Sequence, residues 1–254
     1  MFELASLPQD MGQIVVQGIA LGRLAFRRLF MLSTCLAFLS LLPTAVMVWG
    51  ASDETSFNLM DPSVFIGRLQ GPYGWTALAM TLAGFFPLAV LLQRLAIAAS
   101  GQQGVVKDEW NRALKLWPWM VLAFFIYVSA LCLGMILLFI PALILLFSLM
   151  FVEYVVVLEG KRPMEALNIS HHLVWGHWWR TVGMVLLIYL PLFIAESVLG
   201  AMLGIGSGTH DAVHGRDIFA QEVLNMVFLA VCGPFIYSIL FLYYHDLKLR
   251  KQQR

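Results

Sequence analysis

Long apolar stretches alternate along the chain with short polar segments that carry nearly all of its charge. A helix that crosses a bilayer needs about 20 apolar residues, and most of these stretches are close to that length. The stretch from Leu116 to Leu158 is about twice as long, so it must turn back, and Gly134 and Pro141 mark where it can do so. The pattern therefore predicts six spanning helices, at about residues 29–50, 73–92, 116–137, 140–158, 182–203 and 219–244.

The overall composition supports a membrane protein. Hydrophobic residues make up 60% of the 254 residues and charged residues only 12%, whereas soluble domains average about 45–50% and about 25%. These values exclude a soluble or disordered chain and, with a net charge of +1, a nucleic-acid-binding protein that relies on positive charge. We therefore predict an all-α polytopic membrane protein that forms one integral membrane domain over residues 1–254 and has no nucleic-acid partner.

The basic residues indicate how these helices are oriented. Six spans place both termini on one side, and that side would carry all of the 16 lysines and arginines except Arg68 and Arg216. Cytoplasmic loops are enriched in basic residues, so both termini are predicted to be cytoplasmic. The eight tryptophans agree, because all of them lie near predicted span ends, where indole prefers the headgroup layer.

The polar segments before the first, third and fifth spans resemble one another, because each is rich in basic or aromatic residues. The last of them begins at Pro163, which suits a first helical position, and five of its residues share one helical face: Met164, Leu167, His171, Val174 and Trp178. We predict a short amphipathic helix at the cytoplasmic interface in each segment. Two explanations stay open: a threefold repeat of interfacial helix plus hairpin, or the ordinary composition of juxtamembrane segments.

Basic and aromatic side chains converge on the predicted cytoplasmic headgroup level. Aromatic rings fix depth there, and each basic residue gains about 1 kcal/mol near an anionic surface. We therefore predict a lipid-contacting set, which we call the interfacial collar: Arg27, Arg28, Lys161, Arg162, Arg180, Trp175, Trp178 and Trp179. In the alternative interpretation, these charges only fix topology during insertion.

Besides Glu222, which lies near the outer surface and is expected to be hydrated, two acidic residues lie within the predicted spans. A charge at the centre of a membrane is unfavourable by about 2.5–3.5 kcal/mol on insertion scales, so such residues need an explanation. Glu153 lies near the level of Arg94, and we expect it to pair with that residue or to accept a hydrogen bond from a neighbour. Glu196 is the deeper of the two. It is either a proton or cation site or a buried acid bonded to a tyrosine or serine.

Motifs that would indicate an enzyme, a metal site or a cofactor are absent from the sequence. It contains no H-E-x-x-H, no phosphate-binding loop ending in Gly-Lys-Ser/Thr and no G-x-S-x-G. His210 and His214 are four residues apart, a spacing that zinc sites use on a helix. They lie in a glycine-rich segment, however, where polar residues are common, and we favour that explanation. We expect no catalytic activity, metal or cofactor.

A longer motif runs from the predicted turn to the last interfacial helix. It comprises a turn proline, a helix that ends in an acidic residue, and an "eAL--S--L--G--W" pattern: Pro141, Glu159, Glu165, Ala166, Leu167, Ser170, Leu173, Gly176 and Trp178. The ending LYYHDLKLRK adds Tyr244, Asp246, Leu247 and Arg250. These residues resemble the glycerophosphoryl diester phosphodiesterase membrane-domain family and related uncharacterised six-span bacterial inner-membrane proteins. The chain departs from that pattern at Ala142, where glycine is usual, and by the inserted His245.

The resemblance implies a six-span protein of the bacterial inner membrane. In some relatives the module precedes a catalytic phosphodiesterase barrel, which we expect to be absent here. We therefore favour a non-catalytic protein that binds lipid or a membrane partner, which includes a second copy of itself, in envelope homeostasis. The alternative function is a transporter or permease for a small solute or lipid that uses Glu196.

Overall fold

The computed structural model describes residues 4–50, 71–102, 104–137, 139–205 and 215–253. These residues form helices and no strands. The helices are α1 (Met11–Gly50), α2 (Pro72–Ser100), α3 (Val106–Leu137), α4 (Phe139–Ser148), α5 (Val152–Glu159), α6 (Pro163–Val174), α7 (Trp178–Met202) and α8 (Gly215–Gln252). Six helical segments are long and apolar enough to cross a membrane, and α4 and α5 together form one of them. The prediction of an all-α, multi-pass membrane protein with six spans is confirmed.

The spanning helices are longer than their apolar stretches. Helix α1 has 40 residues and is therefore about 60 Å long, twice the thickness of the hydrocarbon core. The first two predicted interfacial segments are helical but continuous with α1 and α3, so only the third forms a separate short helix, α6. Glycines explain the difference. Gly160 (φ +67°) and Gly176 (φ +91°) flank α6 in backbone conformations that other residues rarely adopt.

The fourth span is a broken helix. Helix α4 ends at Ser148 and α5 begins at Val152, so backbone groups at the break have no partner within the helix. The side chain of Ser170 in α6 supplies a partner for two of these backbone groups. Its buried hydroxyl donates to the Ser148 carbonyl (2.9 Å) and accepts from the Phe151 N–H (3.2 Å). The serine of the sequence motif therefore stabilises the break between α4 and α5.

The chain divides into two compact units. The first comprises Met1–Leu29, Phe85–Ile188 and Pro234–Arg254, and the second comprises Phe30–Gly84 and Tyr189–Gly233. In the first unit α5 is buried almost throughout, as is α8 from Ser238 to Tyr244. In the second unit most residues of α7 from Tyr189 onward are exposed.

Helices α1 and α8 pack closely within the first unit. A Cβ atom at Gly18 would lie 2.7 Å from the Ile239 Cα, and one at Gly22 would lie 2.8 Å from the Phe235 ring. Glycine at both positions therefore lets the two backbones approach. Just before α1, the Gln9 N–H donates to Asp246 near the end of α8 (2.7 Å). The described ends of the chain consequently lie at the same end of this unit, as an even number of spans requires.

Candidate functional site

The connection between α6 and α7 forms an open groove. Its volume is about 520 Å³, within the range of ligand-binding pockets, and it is lined by Trp175, Gly176, His177, Trp178, Trp179 and Arg180. We call it the tryptophan groove. The positive φ of Gly176 permits the tight connection that brings three indoles together within five residues. Trp175 and Trp179 are 55% and 79% exposed, so the edges of the groove are apolar and uncovered.

Ring contacts hold the walls of the groove in place. The Trp178 ring lies edge-on to Phe147 and to Trp179, with centroid distances of 5.7 and 4.7 Å. The Trp175 ring packs against His171 at 5.1 Å. Burial lowers the pKa of His171, and the neighbouring His172 lowers it further, so this histidine is neutral at pH 7. The groove is therefore preformed, with an uncharged wall on the α6 side.

Two N–H donors in the lining have no acceptor among the residues that the structure describes. They are Nε1–H of Trp178 and Nε–H of Arg180, and both nitrogens are buried. A buried donor without an acceptor is unfavourable by about 1–3 kcal/mol. Native proteins satisfy the great majority of such groups, so each one needs an explanation.

Another nitrogen of the Arg180 guanidinium is bound within the protein. Its Nη2 donates to the Gln9 carbonyl (2.6 Å) and to Asp246 (3.3 Å), and Arg250 donates to the same two groups (2.7 and 2.8 Å). We call these four residues, Gln9, Arg180, Asp246 and Arg250, the N-terminal clasp. The sequence placed Arg180 among headgroup contacts, whereas the structure gives it a second role that joins α7 to both ends of the chain.

Most other motif residues also have structural partners. Glu159 accepts hydrogen bonds from the Tyr244 hydroxyl (2.5 Å) and from Lys248 (2.8 Å). Glu165 forms an exposed ion pair with Lys161 (2.5 Å), and this hydrogen bond raises the pKa of the lysine. Pro141 lies in the first turn of α4, where its missing N–H breaks no helical hydrogen bond. The motif residues therefore contribute to the packing of α4 to α8.

Helix α6 packs against the protein mostly through residues outside the apolar face that the sequence indicates. Its buried residues are Pro163, Ala166, Ser170, Leu173 and Val174, whereas Met164 of the predicted apolar face is 70% exposed. Small side chains fill the contact because α6 must approach the α4–α5 break closely enough for Ser170 to bond its backbone. Leu173 and Val174 are buried beside these small residues, whereas Met164 is left on the outside.

Three arginines of the interfacial collar are not neutralised by an acid among the described residues. Arg27, Arg28 and Arg162 are exposed and take part in no ion pair within the described ranges. Lys161 is paired with Glu165 and is therefore partly neutralised. All of the collar residues belong to the first unit.

The predicted pairing of Glu153 with Arg94 is wrong. Arg94 forms an ion pair with Glu109 (2.8 Å) and also donates to the Arg28 carbonyl (3.1 Å). Within the described part of the chain Glu153 has no ion pair, and it interacts electrostatically with Tyr127 of α3. Glu109 lies only 15 positions after Arg94, and the connection between α2 and α3 brings it to the position expected for Glu153.

Glu196 has an amide partner in the second unit. Gln221 of α8 donates to its carboxylate (2.8 Å), where the sequence suggested a tyrosine or serine. Glu222, the residue next to Gln221, is hydrogen-bonded by Asn225 and interacts electrostatically with Glu196. Glu196 and Glu222, with their amide partners Gln221 and Asn225, form a polar cluster between α7 and α8. We call the two acids of this cluster, with their partners, the α7–α8 acid pair.

The proposed histidine ligands, His210 and His214, lie outside the described residues. Among the residues that are described, no group of three or more histidine, cysteine or acidic side chains is arranged to hold a metal ion.

The fold and the site define a six-span helical membrane protein with an aromatic groove beside a buried ionic clasp. Residues 73–247 match the domain of unknown function DUF7847, which covers more than half of the chain. The chain therefore belongs to this family. No curated protein and no solved structure matches it.

Proposed function

We propose that the protein is a non-catalytic, multi-pass protein of the bacterial inner membrane that binds anionic lipid through its interfacial collar. The observation that carries this proposal is the tryptophan groove, whose indoles remain exposed next to basic side chains. Indole prefers the headgroup layer and basic residues are attracted to anionic lipid, so the combination suits a lipid surface.

The distribution of charge supports an orientation with both termini in the cytoplasm. The predicted cytoplasmic side has nearly all of the lysines and arginines. The contact between Gln9 and Asp246 is compatible with this orientation, because it joins residues near the two ends of the chain. The resemblance of residues 141–179 to glycerophosphoryl diester phosphodiesterase membrane domains supports a location in the bacterial inner membrane and a role in envelope homeostasis.

The unpaired arginines support a role beyond topology. Arg27, Arg28 and Arg162 could each contribute about 1 kcal/mol to the binding of an anionic surface, and no acid within the described ranges neutralises them.

The test is a comparison of lipids that remain with the purified protein. The unmutated chain should retain phosphatidylglycerol in preference to phosphatidylcholine from an equal mixture. Changing Arg27, Arg28 and Arg162 together to Gln should remove most of that preference, because about 1 kcal/mol per residue is lost. The same three positions changed to Lys keep the charge and serve as the matched control. Equal retention of both lipids by the unmutated chain would show that the charges are topogenic only.

The α7–α8 acid pair supports a second candidate function, a transporter or permease for a small solute or lipid. Acids within a membrane mark ion or proton pathways by default, and Glu222 provides a second acid that interacts with Glu196. Two neighbouring carboxylates with amide partners form an arrangement that could hold a cation or exchange a proton. The effect of Glu196→Gln separates this function from lipid binding and is described in the Discussion.

A further inference from the structure

We propose that the fourth span holds a proton-binding site, in which the Glu153 carboxyl carries a proton at neutral pH and releases it at alkaline pH. Glu153 lies in the first turn of α5, directly after the break that separates this helix from α4. Neither lipid binding by the interfacial collar nor transport through the α7–α8 acid pair uses this residue. The inference therefore goes beyond both proposed functions.

The position of Glu153 is unfavourable for a charge. The span that α4 and α5 form runs from Ile140 to Glu159, so Glu153 lies about 9 Å from the end of the span. The hydrocarbon core is about 30 Å thick, and this depth removes the carboxyl from the headgroup layer. An ionised side chain in such a place needs a partner that balances its charge.

The described residues provide no such partner. Glu153 forms no ion pair and no side-chain hydrogen bond with them. Tyr127 of α3 faces it, but a phenol is uncharged at neutral pH. The titratable residues of α6, and those of α8 that contact α5, interact with other groups: Glu165, His171, His172, Tyr244 and Lys248.

The start of α5 favours the carboxylate only weakly. A negative charge in the first turn of a helix gains about 0.3–1 kcal/mol from the helix dipole, and α5 has only eight residues. A charge at the centre of a span is unfavourable by about 2.5–3.5 kcal/mol on insertion scales. Uptake of a proton removes this larger cost, so the neutral form of Glu153 is favoured.

The ligand of this site is a proton and not a metal cation. Calcium and magnesium ions take about six or more oxygen ligands, whereas Glu153 has one carboxyl and Tyr127 one hydroxyl. Among the described residues, no group of three histidine, cysteine or acidic side chains is arranged to hold a metal ion. The Glu153 side chain is only partly buried, so a proton or a small reagent can reach it.

The reactivity of the carboxyl tests the site in the unmutated, full-length protein. Dicyclohexylcarbodiimide reacts with protonated carboxyls in apolar surroundings: the O–H adds across one C=N bond, and the whole reagent stays attached as an acylurea. Peptide mass spectrometry should find the label on Glu153 at neutral pH, and labelling should fall about tenfold per pH unit once the carboxyl ionises. Glu159 on the same helix is the internal control, because it is paired with Lys248 and should stay unlabelled.

An infrared measurement does not depend on the access of a reagent. At neutral pH the unmutated protein should show the carbonyl stretch of a protonated carboxyl, and Glu153→Gln, which resembles the neutral acid in shape, should lose that band while it stays folded. Glu165→Gln changes an exposed, ion-paired acid and should keep the band. An unchanged band in Glu153→Gln, or labelling of Glu153 and Glu159 to the same extent, would overturn the proposal.

Discussion

Helices α7 and α8 have nearly the same hydropathy but are covered in different ways. Their most apolar windows have mean hydropathies of 2.2 and 2.1, yet 11% of the α7 window is buried within the protein and 56% of the α8 window. An apolar helix is stable against lipid or against other helices, so hydropathy identifies a span without identifying its neighbours.

The polar residues of each helix indicate whether other helices or lipid surround it. The last part of α8, in the first unit, carries Tyr243, Tyr244 and Asp246, and each of them has a hydrogen-bond partner on another element. The exposed part of α7, in the second unit, carries the single acid Glu196. A buried helix needs partners for its polar groups, whereas a lipid-facing helix omits polar groups. The following predictions test whether the first unit depends on its polar contacts more than the second.

The largest effect is expected for Asp246→Asn. The carboxylate is almost fully buried and accepts from Gln9, Arg180 and Arg250. Removing its charge leaves two guanidinium groups without a counter-ion, and breaking a buried pair lowers the free energy of unfolding by about 3 kcal/mol. Denaturant titration in mixed micelles measures the loss. Amide hydrogen exchange at Gln9 should accelerate as well, and an unchanged rate would show that the clasp does not hold the N-terminal segment.

A smaller effect is expected from the same serine-to-alanine change made in each unit. Ser170→Ala leaves the Ser148 carbonyl and the Phe151 N–H unsatisfied at the α4–α5 break and should destabilise by about 2 kcal/mol. Ser33→Ala in the second unit removes one donor to the Leu229 carbonyl. That carbonyl lies inside α8, where it already accepts a helical hydrogen bond, so the loss should be about 1 kcal/mol. Equal losses would contradict the contrast between the units.

The sequence predicted the spans because a run of about 20 apolar residues has few alternatives to a membrane helix. It also located α6, because Pro163 can begin a helix. The periodicity did not indicate the packing face of α6, since large apolar side chains dominate a periodicity while Ala166 and Ser170 lie in the contact. A small side chain indicates a close helix contact only once the position of the neighbouring backbone is known.

No feature of the sequence predicted the contacts of the N-terminal clasp. Gln9 and Arg180 are 171 positions apart, and nothing in the pattern links a residue before α1 to one at the start of α7. The predicted ion pair between Arg94 and Glu153 was wrong for a related reason. Depth in the membrane suggested Glu153, whereas the connection between α2 and α3 brings Glu109 to Arg94. Long-range pairing depends on helix order in space, which hydropathy does not encode.

The smallest effect on stability is expected for Glu196→Gln. The substituted side chain still offers a carbonyl oxygen to Gln221, and it removes a charge that interacts unfavourably with Glu222. The free energy of unfolding should therefore change by less than about 1 kcal/mol, far less than for Asp246→Asn, although both changes replace one carboxylate by an amide. If the lipid-binding function is correct, the preference for phosphatidylglycerol and the rescue of a deletion strain should both persist. Lost rescue by a folded, abundant Glu196→Gln protein would instead favour the transporter. A large loss of stability would show that the second unit also depends on a charged group, the half-buried Glu196, and would end the contrast between the two units.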